Sequence, residues 1–242
     1  MLAGNKVDIS SDKDIMKNIT QSTSQSFHFN RPWFVRHSPV FRLLDKKEYL
    51  DNFFSKGELL LSCFTKFKEY PNEIQGDKSE GQAMLFAKTT EDKSIGLYFN
   101  AASNAYILST TKSVEDKTKN DFKAVGAIKI KNPTAFAIEI SNRIPFFTAG
   151  TEGSCMYQTQ RIINRELTVE LTKKYSLDKM NILDNQFSLL NEISNNDEMF
   201  IKIDKYTYQN EFRLAWFTQG DKHEHLIITC PEAIQFCDRV DF

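Results

Sequence analysis

The chain has 242 residues, and its 31 basic and 32 acidic side chains leave a formal net charge of −1 at pH 7. This balance excludes a strongly basic protein that coats a nucleic-acid backbone. Hydrophobic residues make up 40% of the chain, and glycine (9) and proline (6) are few, which excludes collagen-like repeats and long flexible linkers.

The beginning of the chain differs in composition from the rest. Residues 1–30 include the polar runs SSDKD and QSTSQS and few apolar side chains. We therefore predict a poorly ordered leader over 1–30 and a single folded domain over 31–242. No run approaches 18 consecutive apolar residues, and the first 26 residues are too polar for a signal peptide. Four widely spaced cysteines without a C-x-x-C pair favour buried, reduced thiols in a soluble, cytoplasmic protein.

The folded part is predicted to begin with a strand, a helix and a second strand. VFRLLD (40–45) predicts the first strand, and ELLLSCF (58–64) predicts the second. Between them we expect a helix with Asp45 as its N-cap and Glu48 three residues later. Gly57 is expected to end this helix, because glycine readily adopts the left-handed backbone of a C-terminal cap.

A long polar segment, residues 66–82, separates these elements from the middle of the chain. Loops of this length in compact domains are more often functional than idle. IGLYFN (95–100) and AYILSTT (105–111) predict two strands joined by a short turn. VGAIKIK (125–131) and TAFAIEIS (134–141) predict a hairpin around the intervening Asn-Pro dipeptide.

The last third of the chain is predicted to hold two helices and then strands. The helices are expected at about 161–175 and 183–193, and KYTYQNEFRLAWF (205–217) predicts a strand. LIITC (226–230) predicts another strand, and Pro231 suits the start of a helix. Strands and helices do not alternate regularly, so we predict an α+β fold of mostly antiparallel sheets with flanking helices.

Polar side chains stand inside three of these apolar strands. In an extended strand over 205–217, Gln209, Glu211 and Arg213 share one face, and the apolar side chains of Phe212, Leu214 and Trp216 share the other. Arg42 lies in the first strand, and Ser109, Thr110 and Thr111 end a middle strand. Each also has a structural explanation: an edge arginine reaching water, hydroxyls that terminate a strand, and an ion pair of Glu211 with Arg213 or with a neighbouring lysine.

In chain order these residues resemble the R-S-E pattern of ADP-ribosyltransferases. Arg42 corresponds to the arginine, the Ser-Thr-Thr run at 109–111 to a Ser-Thr-Ser motif, and Gln209-x-Glu211 to the late acidic motif. Thr111 departs from the family's second serine. The order VFRLLD, helix, GELLLS, polar loop and later EFRLAW also resembles the bacterial DUF2971 family, which is distantly related to that fold. The resemblance implies split antiparallel sheets of the ADP-ribosyltransferase type, and a role as a toxin or anti-phage effector.

The resemblance also implies NAD as substrate and a role for each residue. Glu211 is expected to stabilise the positive charge that develops on the ribose when the nicotinamide bond breaks. Gln209 would orient the acceptor, which is a protein, a nucleic acid or, in an NAD glycohydrolase, water. Arg42 would contact the diphosphate or its ribose. Ser109 and Thr110 would form the wall against which nicotinamide lies.

Other residues keep further possibilities open. An aromatic partner for nicotinamide is expected among Tyr98, Phe99 and Tyr106. Asp77 and Glu80 compete with Glu211 as catalytic carboxylates, although a surface loop is the more ordinary interpretation of their segment. No metal site is expected, because the histidines near residue 224 offer no evident third ligand. The alternative function is a non-catalytic module that binds a nucleotide or a protein through the same cleft.

Overall fold

The described structure, a computed structural model, comprises residues 38–70, 78–88, 94–100, 102–174, 193 and 197–242. The predicted leader over 1–30 and, apart from Ile193, the predicted helix over 183–193 lie outside these residues.

Short strands are the most numerous elements of the described chain. They are β1 (Val40–Leu44), β2 (Glu58–Leu61), β3 (Gln82–Lys88), β4 (Ser94–Asn100), β5 (Ala105–Thr111), β6 (Gly126–Ile130), β7 (Phe147–Ser154), β8 (Met156–Gln158), β9 (Ile162–Glu166), β10 (Ile201–Ile203), β11 (Glu211–Thr218), β12 (Leu226–Thr229) and β13 (Cys237–Asp241). The α-helices are α1 (Lys47–Lys56), α2 (Phe64–Glu69), α3 (Asp116–Phe122), α4 (Pro133–Ser141) and α5 (Val169–Lys174). Three short 3-10 helices lie at Asp197–Phe200, Asp204–Gln209 and Pro231–Phe236.

The largest sheet has six strands in the order β13-β6-β1-β5-β11-β7, and every neighbouring pair in it is antiparallel. A three-stranded sheet has the order β4-β3-β9, and two-stranded sheets join β12 with β2 and β10 with β8. Only the β3–β9 and β10–β8 pairs are parallel among the described strands. The predicted α+β class with mostly antiparallel sheets is therefore confirmed.

The predicted end of the first helix is confirmed, and its predicted start is wrong. Gly57 adopts a left-handed backbone with φ 74°, and its N–H donates to the carbonyl of Phe53 at 2.7 Å. The helix begins at Lys47, one residue later than an Asp45 cap requires, and Lys46 precedes it without a capping side-chain bond. The turn at Gly57 sends the chain directly into β2, which forms one wall of the site described below.

β11 is the strand around which the core is built, and all eight of its residues are buried. Phe212, Leu214 and Trp216 pack into the largest hydrophobic cluster on one face, as the alternation of the sequence predicted. Ala215 and Phe217 pack into a second cluster on the opposite face. Because this second face also carries Glu211 and Arg213, two charged side chains lie inside the protein.

The predicted strand over 134–141 is wrong, because this segment forms helix α4. Asn132 caps the helix by accepting a hydrogen bond from the N–H of Ala135 at 3.1 Å, and Pro133 occupies the first turn. The buried residues include Pro133, Phe136, Ala137 and Ile140, which follow the spacing of one helical face. The cap and this spacing override the strand-like alternation of the segment.

The predicted helix over 161–175 is wrong in its first half. Residues 162–166 form β9, which pairs in parallel with β3, a strand that the sequence patterns did not predict. Ile163 and Leu167 become buried beside Leu85 by this pairing. A contact between strands almost 80 positions apart in the chain has no local signal.

The predicted strand over 205–217 begins later than expected. Residues 204–209 form a 3-10 helix, and Asn210 turns the chain with a left-handed φ of 44° before β11 starts at Glu211. None of the described helices is long and apolar enough to cross a membrane.

Candidate functional site

A cleft opens where the main sheet splits. β5 pairs with β1 through a single residue pair near its end, whereas nearer its start Ile107 bridges to Ser62, just beyond β2. β1 and the end of β2 therefore contact different parts of the same edge of β5 and separate from each other between these contacts. In this interval Arg42 Nη1 donates to the carbonyl oxygen of Ser109 at 3.1 Å. The cleft has a volume of about 410 Å³, which is a typical size for a small-molecule site.

The lining of the cleft divides into apolar walls and a charged floor. The apolar and aromatic side chains are those of Leu43, Leu44, Tyr49, Leu59, Leu60, Phe67, Tyr70, Phe122, Ile128 and Ile227. The polar lining comprises Arg42, Asp45, Glu58, Glu80, Ser109, Lys202, Glu211 and Arg213. Four of the charged residues, Glu80, Lys202, Glu211 and Arg213, are buried, so the deepest part of the cleft is ionic.

The mouth of the cleft exposes apolar surface. Leu60 and Ile227 lie directly opposite each other on β2 and β12, and they are 38% and 63% exposed. Tyr70 lies beside the mouth, with its ring 6.4 Å from that of Phe67 and 6.3 Å from that of His225. This combination of an apolar mouth and a charged floor suits a ligand with both a flat ring and polar groups.

Arg213 joins two carboxylates at the floor. Its Nε donates to Glu211 Oε1 at 2.6 Å, and its Nη1 donates to Glu80 Oε1 at 2.6 Å and to the carbonyl of Met199 at 2.5 Å. The guanidinium carbon also lies 5.6 Å from the ring centroid of Phe64. Since the side chain of Arg213 is only 2% exposed, these contacts replace its lost hydration.

Lys202 engages the second oxygen of the same carboxylate. Its Nζ donates to Glu211 Oε2 at 2.5 Å and to Gln209 Oε1 at 2.7 Å. The backbone N–H of Glu211 in turn donates to the hydroxyl of Tyr157 at 2.7 Å. The glutamate is therefore held at both side-chain oxygens and at its backbone nitrogen.

These contacts keep Glu211 ionised. Burial by itself raises the pKa of the carboxyl group, but the charges of Arg213 and Lys202 and their hydrogen bonds outweigh that effect. The net result is a pKa far below the ordinary value for glutamate. At neutral pH Glu211 is thus a carboxylate with a fixed orientation.

Arg42 has more hydrogen-bonding capacity than the described residues use. Its side chain is half-buried, and the bond to Ser109 is the one that the described residues supply among five possible N–H donors. Burial lowers the pKa of Arg42 below its ordinary value, while the charge of Glu211 contributes in the opposite direction. An arginine remains charged under these conditions, so Arg42 presents a cation with unused donors at the cleft.

Three of the predicted site residues come together. Arg42, Ser109 and Glu211 all line the cleft, and they lie on β1, β5 and β11, which are neighbours in the sheet. Arg42 is not on an edge strand, because β1 lies between β6 and β5. The ion pair between Glu211 and Arg213, which the sequence left open, is present.

The other predicted site residues do not reach the cleft. Thr110 and Tyr106 lie on the opposite face of β5, where the Thr110 hydroxyl donates to the carbonyl of Phe212 at 2.7 Å and Tyr106 packs against the main core. Thr110 therefore does not lie on the wall predicted for nicotinamide, and the ring of Tyr106 does not line the cleft. Gln209 is only 2% exposed and contacts Lys202, so its amide does not face an acceptor. Tyr98, on β4, is 61% exposed and does not line the cleft.

The sequence pointed only in part to two further charged residues of the cleft. Glu80 was a competing carboxylate whose more ordinary interpretation was a surface loop, and the structure shows it 3% exposed and paired with Arg213. Asp77, its predicted competitor, lies outside the described residues. Lys202 was not considered, although a lysine between Ile201 and Ile203 in an apolar run was a usable signal.

One group of potential metal ligands lies away from the cleft. The ligand atoms of Glu139, Cys230 and Glu232 are close enough together to surround an ion. Arg143 Nη2 already lies 2.8 Å from Glu232 Oε1, so a metal ion would compete with a positive charge that is in place.

Comparison of this chain with protein-family models, with curated proteins and with solved structures produced no match.

Proposed function

We propose that the protein cleaves the nicotinamide–ribose bond of NAD and transfers the ADP-ribosyl group to an acceptor or to water. The observation that carries this proposal is the convergence of Arg42, Ser109 and Glu211 from three neighbouring strands on one cleft. Their order in the chain is that of the R-S-E pattern, and a sheet that splits at β5 agrees with a fold of the ADP-ribosyltransferase type.

The reaction requires a carboxylate where positive charge develops. The bond from the ribose C1′ to the nicotinamide nitrogen breaks, and its electron pair leaves with neutral nicotinamide. The remaining ribosyl cation is stabilised by Glu211, which the neighbouring cations keep ionised. The acceptor then supplies an electron pair to C1′ and loses a proton; with water as acceptor, the products are ADP-ribose and one proton.

The remaining lining residues support a dinucleotide. The N–H groups of Arg42 that no described residue engages suit a diphosphate oxygen, which accepts charge-assisted hydrogen bonds. In place of Tyr106, the rings that line the cleft are Tyr49, Phe67, Tyr70 and Phe122. We assign the stacking of a base or of nicotinamide to this set.

One observation favours a second candidate function, a non-catalytic module that binds a nucleotide in the same cleft. Both side-chain oxygens of Glu211 already accept hydrogen bonds, from Arg213 and from Lys202. A carboxylate oxygen can accept a further bond, so this engagement does not prevent catalysis, but it also describes a purely structural ion pair. The two functions differ in whether nicotinamide is released.

The test is to incubate the purified protein with NAD and to quantify nicotinamide, in parallel with Glu211→Gln and Arg42→Gln. We expect release by the wild type, a loss of at least about 100-fold in Glu211→Gln, and weaker NAD binding in Arg42→Gln. Arg143→Gln, which removes an exposed arginine that does not line the cleft, should release nicotinamide at the wild-type rate.

Glu211→Gln must be shown to fold, because it alters a buried ionic network. Glu80→Gln removes the other carboxylate that pairs with Arg213. Its unfolding in urea shows how much stability the loss of one such buried carboxylate costs. NAD binding measured by calorimetry without any release would support the binding module. The absence of both binding and release, in a folded wild type, would refute both candidate functions.

A further inference from the structure

Lys202 lies in a position to control the carboxylate of Glu211 without being the reacting group. Its side chain is 8% exposed, and its ammonium group contacts Glu211 Oε2 and Gln209 Oε1. A lysine ammonium has three N–H donors, so two are committed to these residues. We propose that Lys202 is a positioning residue that orients Glu211 and maintains its charge, and that Gln209 acts through Lys202. This inference rests on the proposed function of Glu211.

The local structure shows how Lys202 is brought to the start of β11. β10 pairs in parallel with β8, and Lys202 lies opposite Tyr157 in this two-stranded sheet. Tyr157 accepts a hydrogen bond from the backbone N–H of Glu211, and Lys202 contacts the side-chain carboxylate of Glu211. The small sheet therefore holds the glutamate at two points.

The turn before β11 explains the role of the glutamine. Gln209 ends a 3-10 helix, and the left-handed residue Asn210 separates it from Glu211. The two side chains therefore meet at the ammonium group of Lys202 and not through a shared strand face. Gln209 accepts one N–H of the lysine, and a second N–H of the same ammonium group reaches Glu211 Oε2.

Arg213 and Lys202 each bind a different oxygen of the Glu211 carboxylate. Arg213 contacts Oε1 and Lys202 contacts Oε2, so removal of the lysine leaves one oxygen held and frees the other. Lys202 lines the cleft, and among the described residues its third N–H has no hydrogen-bond acceptor, so it suits an oxygen of a bound molecule. A ligand contact by this N–H is secondary to the positioning role.

The experiment compares Lys202→Gln, which keeps a hydrogen-bond donor and removes the charge, with Lys202→Met, which removes both. Lys131→Met, an exposed lysine paired with Asp238, is the control. The ionisation of Glu211 is followed by NMR of ¹³C-labelled glutamate in protein without NAD, and its carboxyl signal is identified by its absence from Glu211→Gln. The pH profile of nicotinamide release is then measured for each variant.

We expect both Lys202 variants to raise the pKa of Glu211 by about 1–3 relative to the wild type, and Lys131→Met to leave it unchanged. On the acidic side of the pH profile, the rate of nicotinamide release should fall at a correspondingly higher pH in these variants than in the wild type. Lys202→Met should also lower kcat more than Lys202→Gln, because only the glutamine can still hold Oε2.

An unchanged Glu211 titration in both folded Lys202 variants would overturn the inference. If neither variant folds, Gln209→Leu is measured instead. It removes the Gln209 contact that holds Lys202, and should therefore raise the pKa of Glu211 by less than we expect for the Lys202 variants. Absence of nicotinamide release from the wild type would refute the proposed enzyme, while the carboxyl titration would still decide whether Lys202 maintains the charge of Glu211.

Discussion

Arg213 is the residue on which the buried charges depend. It is the contact that Glu80 and Glu211 share, and each of these carboxylates lies 2.6 Å from a guanidinium nitrogen. A buried ion pair is not in itself strongly stabilising, because dehydration of the charges offsets their attraction. Loss of one member is costly, since it leaves an uncompensated charge in the interior.

Replacement of Arg213 by leucine should therefore destabilise the protein by about 3–5 kcal/mol. The change leaves Glu80 without a described cation and leaves Glu211 with Lys202 alone. Urea titration at pH 7 measures this effect. Arg143→Leu, which breaks an exposed pair with Glu232, should stay close to the wild type. Similar losses in the two variants would contradict the account.

The depressed pKa of Glu211 predicts how stability depends on pH. In the unfolded chain the carboxyl group titrates near its ordinary value of 4.5, and in the folded protein it titrates far below it. The contribution of the ionised Glu211 to folding stability is thus complete above pH 4.5. It is lost as the pH falls from 4.5 toward the pKa of Glu211 in the folded protein. The difference in unfolding free energy between wild type and Glu211→Gln should narrow below about pH 4.5. A difference that is constant from pH 7 to pH 3 would exclude this explanation.

At the scale of elements, the turn between α1 and β2 determines the position of one cleft wall. Gly57 lies against the chain at Cys230, whose N–H donates to the Gly57 carbonyl at 2.9 Å. A Cβ atom at Gly57 would lie 2.3 Å from the backbone carbonyl group of Cys230. The close approach therefore requires glycine for space as well as for its positive φ.

Gly57→Ala should destabilise the protein on the order of 4 kcal/mol or more, because backbone atoms must move. Gly220 is a matched control, since its φ is 70° and a Cβ there meets no atom within 4 Å. Gly220→Ala should cost only the conformational strain, about 1–2 kcal/mol. Thermal unfolding of both variants tests the comparison, and equal losses would show that backbone conformation alone accounts for Gly57.

At the scale of the whole molecule, the four cysteines show whether solvent reaches the interior of the folded protein. All four are free and buried, as their spacing in the sequence predicted. They lie in different parts of the chain, from Cys63 before α2 to Cys237 at the start of β13. Burial raises the pKa of each thiol, to about 12 for Cys237.

The folded protein should therefore react slowly with Ellman's reagent at pH 7.5, and all four thiols should react after unfolding in guanidinium chloride. A thiol must be both exposed and ionised to react, and burial suppresses both conditions. The measurement is the absorbance of released thionitrobenzoate over time. Rapid modification of one or more thiols in the native protein would show that the core opens without global unfolding.

Several features of the fold follow from short stretches of sequence. The apolar face of β11, the helix stop at Gly57 and the burial of the cysteines depend on local alternation, backbone preference or residue type. The α+β class was also predictable, because the order of strand and helix patterns excludes regular βαβ units. The expectation that Arg42, Ser109 and Glu211 lie together rested on their order in the chain and its resemblance to the R-S-E pattern, and the three residues do line one cleft.

Tertiary contacts alone decided the rest. β9 exists because it pairs with β3, and Glu80 is buried because it meets Arg213 from a position 133 residues earlier in the chain. Ser109 faces the cleft because it lies opposite Arg213 in the pairing of β5 with β11, and the alternation of the strand places Thr110 and Tyr106 on the other face. A residue's type and its immediate neighbours specify what it can do chemically, whereas contacts between distant segments determine which groups it meets.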